Sequence, residues 1–498
     1  MFVLQSVEQV LAQIFARRGL LLVLCAAIAG AVSWWLGQDI NWDLKNYHLY
    51  NPYALLEGRL TTDFVPASLQ GFFNPLADVP YYILATKLLL RLPRVLAVLQ
   101  GFYFGALVYF VCRLNWHGLA ERTVLPATTA TIASLIGVSA AGVVSEIGTT
   151  FNDIQGALFV LWGVYLLMPR AKDDAIGMRR ALWAGVVFGV AIGVKLTSGY
   201  YIFAAICAVF ISSSLATSVR NVALMCAGAA VCALLLCGPW FLWVYHQTGS
   251  PVFPLFNDIF RSDWYPPSDY TGGYFKPRSF AAALLNPLAW AQLNAHLITE
   301  VEFRDARFAA ASIAAVGILA LLTASGASKL FHRENRHTFT LGRPTRFLFA
   351  FAVVAYLIWI TQLGALRFGI VTEVLTGTVI VLGIEIVTTT FFASRARAMA
   401  VASLAAVSGM ILQLTTAYPS WGRAPYEQRT YTVLAPPLPP NSLVVLAGAE
   451  LYRSVPAPQG IDRRRHFAPY GRSTRLPPVR RDEETRPRSR WPGIRRYR

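Results

Sequence analysis

Apolar residues run in long, nearly uninterrupted stretches along most of the chain. Two kinds of polar segment separate them: short ones rich in Arg and Lys, and long ones rich in aromatics, Pro and acids. The first stretch, 19–36, follows a short amphipathic start that ends in Arg17-Arg18. It is long, and no small-residue cleavage site precedes the next polar segment. The pattern therefore predicts an uncleaved span rather than a removed leader. Further apolar runs lie at 94–112, 123–144, 154–168, 181–195, 197–213, 221–243, 306–325, 346–364, 368–389 and 398–416. A helix needs about 20 apolar residues to cross the hydrocarbon core. The expected fold class is an all-α polytopic membrane protein with about eleven transmembrane helices and large extracytoplasmic loops.

The distribution of cations orients these spans, because short cytoplasmic loops collect Lys and Arg. With the N-terminus inside, the inner segments hold Arg17, Arg18, Arg113, Arg122, Arg170, Lys172, Arg179, Arg180, Arg220, Lys329, Arg333, Arg336, Arg343, Arg346, Arg395 and Arg397. The outer segments are then 38–93, 145–153 and 244–305, and an odd number of spans leaves the C-terminus outside. Two of these loops are far longer than an ordinary connection, which implies a task of their own. Within the first, 76–92 is apolar yet carries Asp78, Pro80, Lys87 and Arg91. It reads as an amphipathic helix lying on the outer surface. The expected organisation is a membrane domain over 1–420, a short extracytoplasmic segment over 421–450 with a strand-like start at 441–450, and a basic, disordered tail over 451–498.

Composition agrees with the pattern. The chain of 498 residues is 55% hydrophobic and 14% charged, with a mean hydropathy of +0.47. A soluble globular protein carries about a quarter charged residues. Disorder, a coiled coil and an ordinary cytosolic enzyme are thereby excluded. The net charge of +18 is no argument for nucleic acid, because ten of those charges sit in the Arg-rich stretch 452–498. Cys25, Cys112, Cys207, Cys226, Cys232 and Cys237 all lie in apolar runs without metal-ligand spacing. They read as small packing residues.

Candidate chemistry concentrates in the outer segments. The densest cluster follows the first span: Asp39, Asn41, Trp42, Asp43, Lys45, Tyr47, His48, Tyr50 and Asn51, then Glu57 and Arg59. On an α-helix, Asp43, Tyr47 and Tyr50 share a face and Lys45 lies off it. Walled by Trp42 and Tyr47, Asp43 is expected to be partly desolvated, with a raised pKa suited to a general base. The competing reading is an interfacial aromatic belt with a solvated acid. In the second outer segment, Thr150 can cap the next helix, with Asp153 favoured by the dipole. Capping leaves Glu146 and Asn152 unexplained. Lys195, flanked by Gly193, Thr197, Ser198 and Gly199, implies a break between two helices where a cation and free N–H groups suit an anionic headgroup. Arg367 and Glu373 are too far apart to share a helix face, and the pattern offers Glu385 no partner. No HExxH, GxSxG or P-loop motif is present.

These residues resemble the GT-C superfamily of integral-membrane glycosyltransferases, which includes protein O-mannosyltransferases and lipid A aminoarabinose transferases. The resemblance rests on Asp43 soon after the first span, on Asp153 just before a later one, on Lys195-Leu196-Thr197, on Arg367 near the outer end of a late span, and on the block from Asn74 to Tyr82. The Pro and Leu that often follow such an Arg are missing here. The resemblance implies a polyprenyl-phosphate sugar donor, a lipid, glycan or protein acceptor, and work at the outer face of a bacterial inner membrane. Under it, Asp43 and Asp153 are the catalytic candidates. Lys45, Tyr47, His48, Arg59, Glu146, Lys195 and Arg367 are substrate-binding candidates, with Lys195 and Arg367 on the phosphate. No organic cofactor is implied. A divalent ion shared by Asp43 and Asp153 is the alternative, disfavoured by the lack of an Asp-x-Asp pair. A flippase, or a polymerase or ligase for a lipid-linked glycan, is the competing function. The concentration of polar residues in outer loops rather than at mid-membrane weighs against a flippase.

Overall fold

The computed structural model describes residues 2–63, 67–170, 176–268, 275–292, 298–330, 339–392 and 394–432, together with Pro439. The segment expected at 441–450 and the basic tail lie outside these residues. The described chain opens with helices α1 (Phe2–Ala16) and α2 (Arg18–Leu36). The first outer segment then holds strand β1 (Gln38–Asp39), a π-helical turn (Leu44–His48), α3 (Tyr50–Leu56) and α4 (Val79–Ile83). After it come α5 (Pro93–Leu119), α6 (Pro126–Val138), α7 (Ala141–Ser145), α8 (Asp153–Leu167), α9 (Met178–Val194), α10 (Tyr200–Ser212) and α11 (Leu215–Thr248). The long second loop carries α12 (Asn257–Phe260) and α13 (Phe280–Ala289). Helices α14 (Arg307–Leu330), α15 (Arg343–Ile358), α16 (Ile370–Phe391) and α17 (Ser394–Thr415), and strand β2 (Arg423–Ala424), complete it.

Every run expected to cross the membrane is helical. Among the described residues, seven helical segments are long and apolar enough for a crossing by length and composition. They are Arg18–Leu36, Pro93–Leu119, Leu215–Thr248, Arg307–Ser325, Arg343–Leu363, Leu366–Thr389 and Ala396–Thr415. The runs placed at 123–144, 154–168, 181–195 and 197–213 form shorter helices. At 1.5 Å per residue, the 13 residues of α6 reach about 20 Å, short of a core of about 30 Å. A local cause ends α6 early. The chain breaks after Val138 and restarts as α7, whose first N–H groups are held by distant carboxylates. Ala141 donates to Asp305 (2.8 Å), and Gly142 and Val143 donate to Glu373 (3.0 Å each). Those are the donors a helix start leaves unsatisfied. The stretch 76–92 is likewise segmented, into short turns around α4 and a π-helical turn at Leu84–Leu88.

Helix pairs close on small residues, as they do where lipid removes the hydrophobic drive for association. Gly137 of α6 and Gly377 of α16 face each other's backbone, and a Cβ on either would overlap it. Helix α16 packs against α6 and α14, α2 runs along α5, and α9 lies along α11.

Polar contacts sort the loops into two sets. At one end, Arg122 pairs with Glu385 (2.8 Å), Glu8 caps the start of α6 through the N–H groups of Ala127 and Thr128, and Arg343 donates to the Ser212 carbonyl. These segments are among those that the cation pattern assigns to the inside. At the other end, β1 pairs antiparallel with β2, with Gln38 opposite Ala424 and Asp39 opposite Arg423. Arg423 also donates to the carbonyls of Ser145 and Ile147. The chain beyond α17 therefore returns to the same end as the first outer segment. The buried Asp305–Arg307 pair (2.9 Å) ties the second long loop to the C-terminus of α6 through the Ile136 carbonyl (2.8 Å).

The two contact sets and the cation bias generate a topological expectation. Cysteines at Ser68 and Ser268 should react with an impermeant thiol reagent in cells whose outer membrane is permeabilised. A cysteine at Ser214, the exposed residue between α10 and α11, should stay protected until the inner membrane is opened. Labelling with the reverse pattern would invert the orientation.

Candidate functional site

The first site element is the π-helical turn. Its hydrogen bond runs from Leu49 N–H to the Leu44 carbonyl (3.2 Å), one residue longer than an α-helical step. That extra residue changes which side chains share a face. Asp43, Tyr47 and His48 all line one cavity, and Tyr50 turns away to donate to Asp63 (2.8 Å). The Tyr47 hydroxyl donates to Asp43 Oδ2 (3.0 Å). Trp42, expected as a wall of the Asp43 pocket, is 47% exposed and lies outside the lining.

The second element is the loop before α8. Thr150 does not cap that helix. Its N–H and hydroxyl reach back to Asp39 Oδ2, at 2.9 and 3.1 Å. Asn152 takes the left-handed conformation (φ 65°) just before the helix, and its side-chain amide donates to Asp78 Oδ1 (2.7 Å). The tight bend sets Asp153 at the start of α8, buried, with Lys195 Nζ 2.6 Å from Oδ1. Lys195 sits at the predicted break: α9 ends at Val194, Lys195 is extended, and a 3-10 turn over Leu196–Gly199 leads into α10. Its ammonium also donates to the Phe151 carbonyl (3.1 Å).

The third element is the turn Leu366–Gly369 ahead of α16, which carries Arg367. Arg367 Nη1 lies 2.7 Å from Asp43 Oδ2. The Phe368 ring lies under both cations, 4.7 Å from Lys195 Nζ and 5.4 Å from the Arg367 guanidinium carbon. Phe151 stacks under Arg367 at 5.2 Å. Aromatic faces hold cations without neutralising them.

The three elements meet at a cavity of about 340 Å³. Asp43, His48, Asp78, Asn152, Lys195, Glu300 and Arg367 are part of its polar lining, and Phe72, Trp240, Phe241, Val244 and Phe253 are part of an apolar wall. An apolar pocket with a few convergent polar groups is the usual form of a small-molecule site.

The electrostatics depart from expectation at Asp43. Burial opposes its charge, but the fixed cations, Arg367 above all and Lys195 with it, outweigh burial and hold the carboxyl below its ordinary range. Asp43 is a firmly ionised carboxylate and not the raised-pKa base that desolvation alone implies. The sequence pattern named Arg367 but not its pairing with Asp43, which lies 324 positions away. Glu146 behaves oppositely. Burial and then the neighbouring Asp153 raise its pKa well above the carboxylate range, despite Lys195 and Arg367. Neither carboxyl oxygen of Glu146 has a hydrogen-bond partner in the described structure.

Of the residues singled out in the sequence, Asp43, Tyr47, His48, Lys195 and Arg367 line the cavity, and Asp153 adjoins it through Lys195. Glu146 is buried outside the lining. Lys45 is exposed, and Arg59 pairs with Asp63 (2.5 Å), so neither is brought to the cavity. Asp78 was legible only as a polar residue in an amphipathic stretch. The structure sets its Oδ2 2.8 Å from His48 Nδ1. Asp43 faces Arg367 and Asp153 faces Lys195.

No protein-family model matches the chain, and no curated protein matches it. Among solved structures, the chain is similar to a crystal structure of ArnT from Cupriavidus metallidurans bound to undecaprenyl phosphate. The identity is 16%, the TM-score 0.40, and the match covers 79% of this chain and 70% of that one. A likeness at that level fixes neither fold nor chemistry for this chain.

Breaking a buried pair leaves one charge uncompensated, at a cost of about 3–5 kcal/mol. Arg367→Met should lower stability in detergent by that order, and adding Asp43→Asn should recover much of the loss. Equal destabilisation in the single and double variants would contradict the pairing. The folded-state pKa of Asp43 lies below its unfolded value of about 4. Its contribution is therefore complete above that value and is lost as pH falls through the folded pKa. Arg367→Met should flatten stability in that acidic window. Burial and Asp153 disfavour the charge that Glu146 carries in the unfolded chain at neutral pH, so Glu146→Gln should raise the unfolding midpoint there. A large loss would contradict the direction of that shift.

Proposed function

We propose that the chain is a membrane glycosyltransferase. In this reading it moves a sugar from a polyprenyl-phosphate donor to a hydroxyl on a lipid, glycan or protein acceptor, with inversion, at the periplasmic face of a bacterial inner membrane. The observation that carries the reading is the meeting of two ion pairs, Asp43–Arg367 and Asp153–Lys195, at one cavity with an aromatic wall. Two cations set on Phe368 suit a phosphate diester, and the apolar wall suits the isoprenoid chain beside it. The gathering of the charges at one end of the helices, rather than along a path through them, favours transfer over transport.

In this reading Arg367 and Lys195 bind the donor phosphate and take up the charge that grows on it as the leaving group. Fixed cations aimed at developing charge supply a large share of such a rate enhancement. In the free protein, Asp43 and Asp153 hold the two cations in place. Asp43 has a second task. As the glycosidic bond breaks, positive charge builds at the sugar's anomeric carbon. A carboxylate that resists protonation is well suited to stabilise it and poorly suited to accept a proton. Asp153 orients Lys195 and, through it, the phosphate.

Reconstituted protein supplied with a panel of polyprenyl-phosphate sugars and candidate acceptors should release polyprenyl phosphate as glycosylated acceptor forms. Lys195→Met should raise the donor KM with the protein still folded. Asp43→Asn should lower kcat by about 10²–10³, the range seen when one preorganised electrostatic group is removed. Transport of the intact lipid with no transfer, or full turnover in Asp43→Asn, would overturn this assignment.

A further inference from the structure

The low pKa of Asp43 leaves the acceptor proton without a recipient, and the cavity lining holds another candidate. His48 is 3% exposed and belongs to that lining. Its Nδ1 lies 2.8 Å from Asp78 Oδ2, and Asp78 is buried. Asn152 fixes the other Asp78 oxygen, donating to Oδ1 at 2.7 Å. Both ring nitrogens of His48 are buried and neither makes an aligned hydrogen bond in the described structure, so the 2.8 Å approach to Asp78 is a charge contact. A buried polar atom without a partner costs free energy, so an arrangement that keeps one beside a cavity calls for a reason.

We propose that His48 is the general base that takes the acceptor proton, and that Asp78, itself set by Asn152, is the positioning residue that faces the ring at 2.8 Å and holds the imidazolium that forms. The inference rests on the transferase reading above. Four features of the fold bring the group together. The π-helical turn puts His48 on the Asp43 face, the short turns after Asn74 bring Asp78 beneath the ring, and the left-handed Asn152 reaches Asp78 from the next loop. The Tyr47 ring lies against the imidazole, with centroids 4.2 Å apart, and restricts its rotation. A carboxylate beside a histidine stabilises the imidazolium that forms.

The step balances within the groups named. The acceptor oxygen forms a bond to the anomeric carbon as its O–H proton passes to His48 Nε2. The bond from that carbon to the phosphate oxygen breaks, and its electron pair leaves with polyprenyl phosphate, held by Arg367 and Lys195. Asp78 faces the resulting imidazolium. Electrostatic and base duties are thus divided between two neighbouring side chains: Asp43 stays charged, and His48 carries the proton.

The test uses the full-length reconstituted protein. His48→Ala should lower kcat by about 10²–10⁴, the range for a general base, with the donor KM kept. Added imidazole should restore part of that kcat, which a purely structural loss would not allow. Asp78→Asn should lower kcat by a smaller factor, without rescue by imidazole and with the donor KM kept. Full turnover in His48→Ala overturns this inference and leaves the transferase reading standing. No transfer by the unmodified protein overturns both. If His48→Ala fails to fold, ¹⁵N-histidine NMR of the unmodified protein decides, with the His48 signal assigned by its loss in His48→Gln. The expected result near neutral pH is a ring with one bare nitrogen, and a doubly protonated ring would overturn the proposal.

Discussion

The pairing of Asp43 with Arg367 is the contact on which the candidate site depends. It joins the first outer segment to the turn before α16 across 324 positions of sequence. Neither group is tolerable there alone. Burial opposes the charge on Asp43, and Arg367 needs a counter-charge at the start of a largely buried helix. Each therefore fixes the other, and the π-helical turn and the Leu366–Gly369 turn come into register. Tyr47, Phe151 and Phe368 then fill the space around the pair.

The second pair repeats the device. Lys195 stands where the chain breaks between α9 and α10, and Asp153 starts α8. The two pairs are neutral as a set, and burial beside Asp153 disfavours a further charge on Glu146.

Much of the helical order was legible in the sequence because lipid demands long apolar runs with satisfied backbones. Asp43, Asp153, Lys195 and Arg367 also stood out, since charged groups near spans are costly and few. Their partners did not, because spacing on one helix says nothing about residues hundreds of positions away. Arg122, the partner of Glu385, was hidden for the same reason, and so was the direction of the Asp43 pKa. The face assignment of Tyr50 failed on a single backbone hydrogen bond, the one that makes a π-turn out of an α-turn. Asp78 was disguised by its setting: an acid in an amphipathic stretch ordinarily faces water, and only Asn152 and His48 make it a buried acceptor. The shortness of α6 was equally invisible, since it follows from Glu373 and Asp305 reaching α7.

The central claim is that the two ion pairs frame a phosphate site. An experimental structure of the protein with polyprenyl phosphate bound tests it most directly. The account predicts the phosphate within hydrogen-bonding distance of both Arg367 and Lys195, with the first isoprene units against Phe72, Trp240 and Phe253. A phosphate bound elsewhere, with both ion pairs closed as they are here, would contradict it.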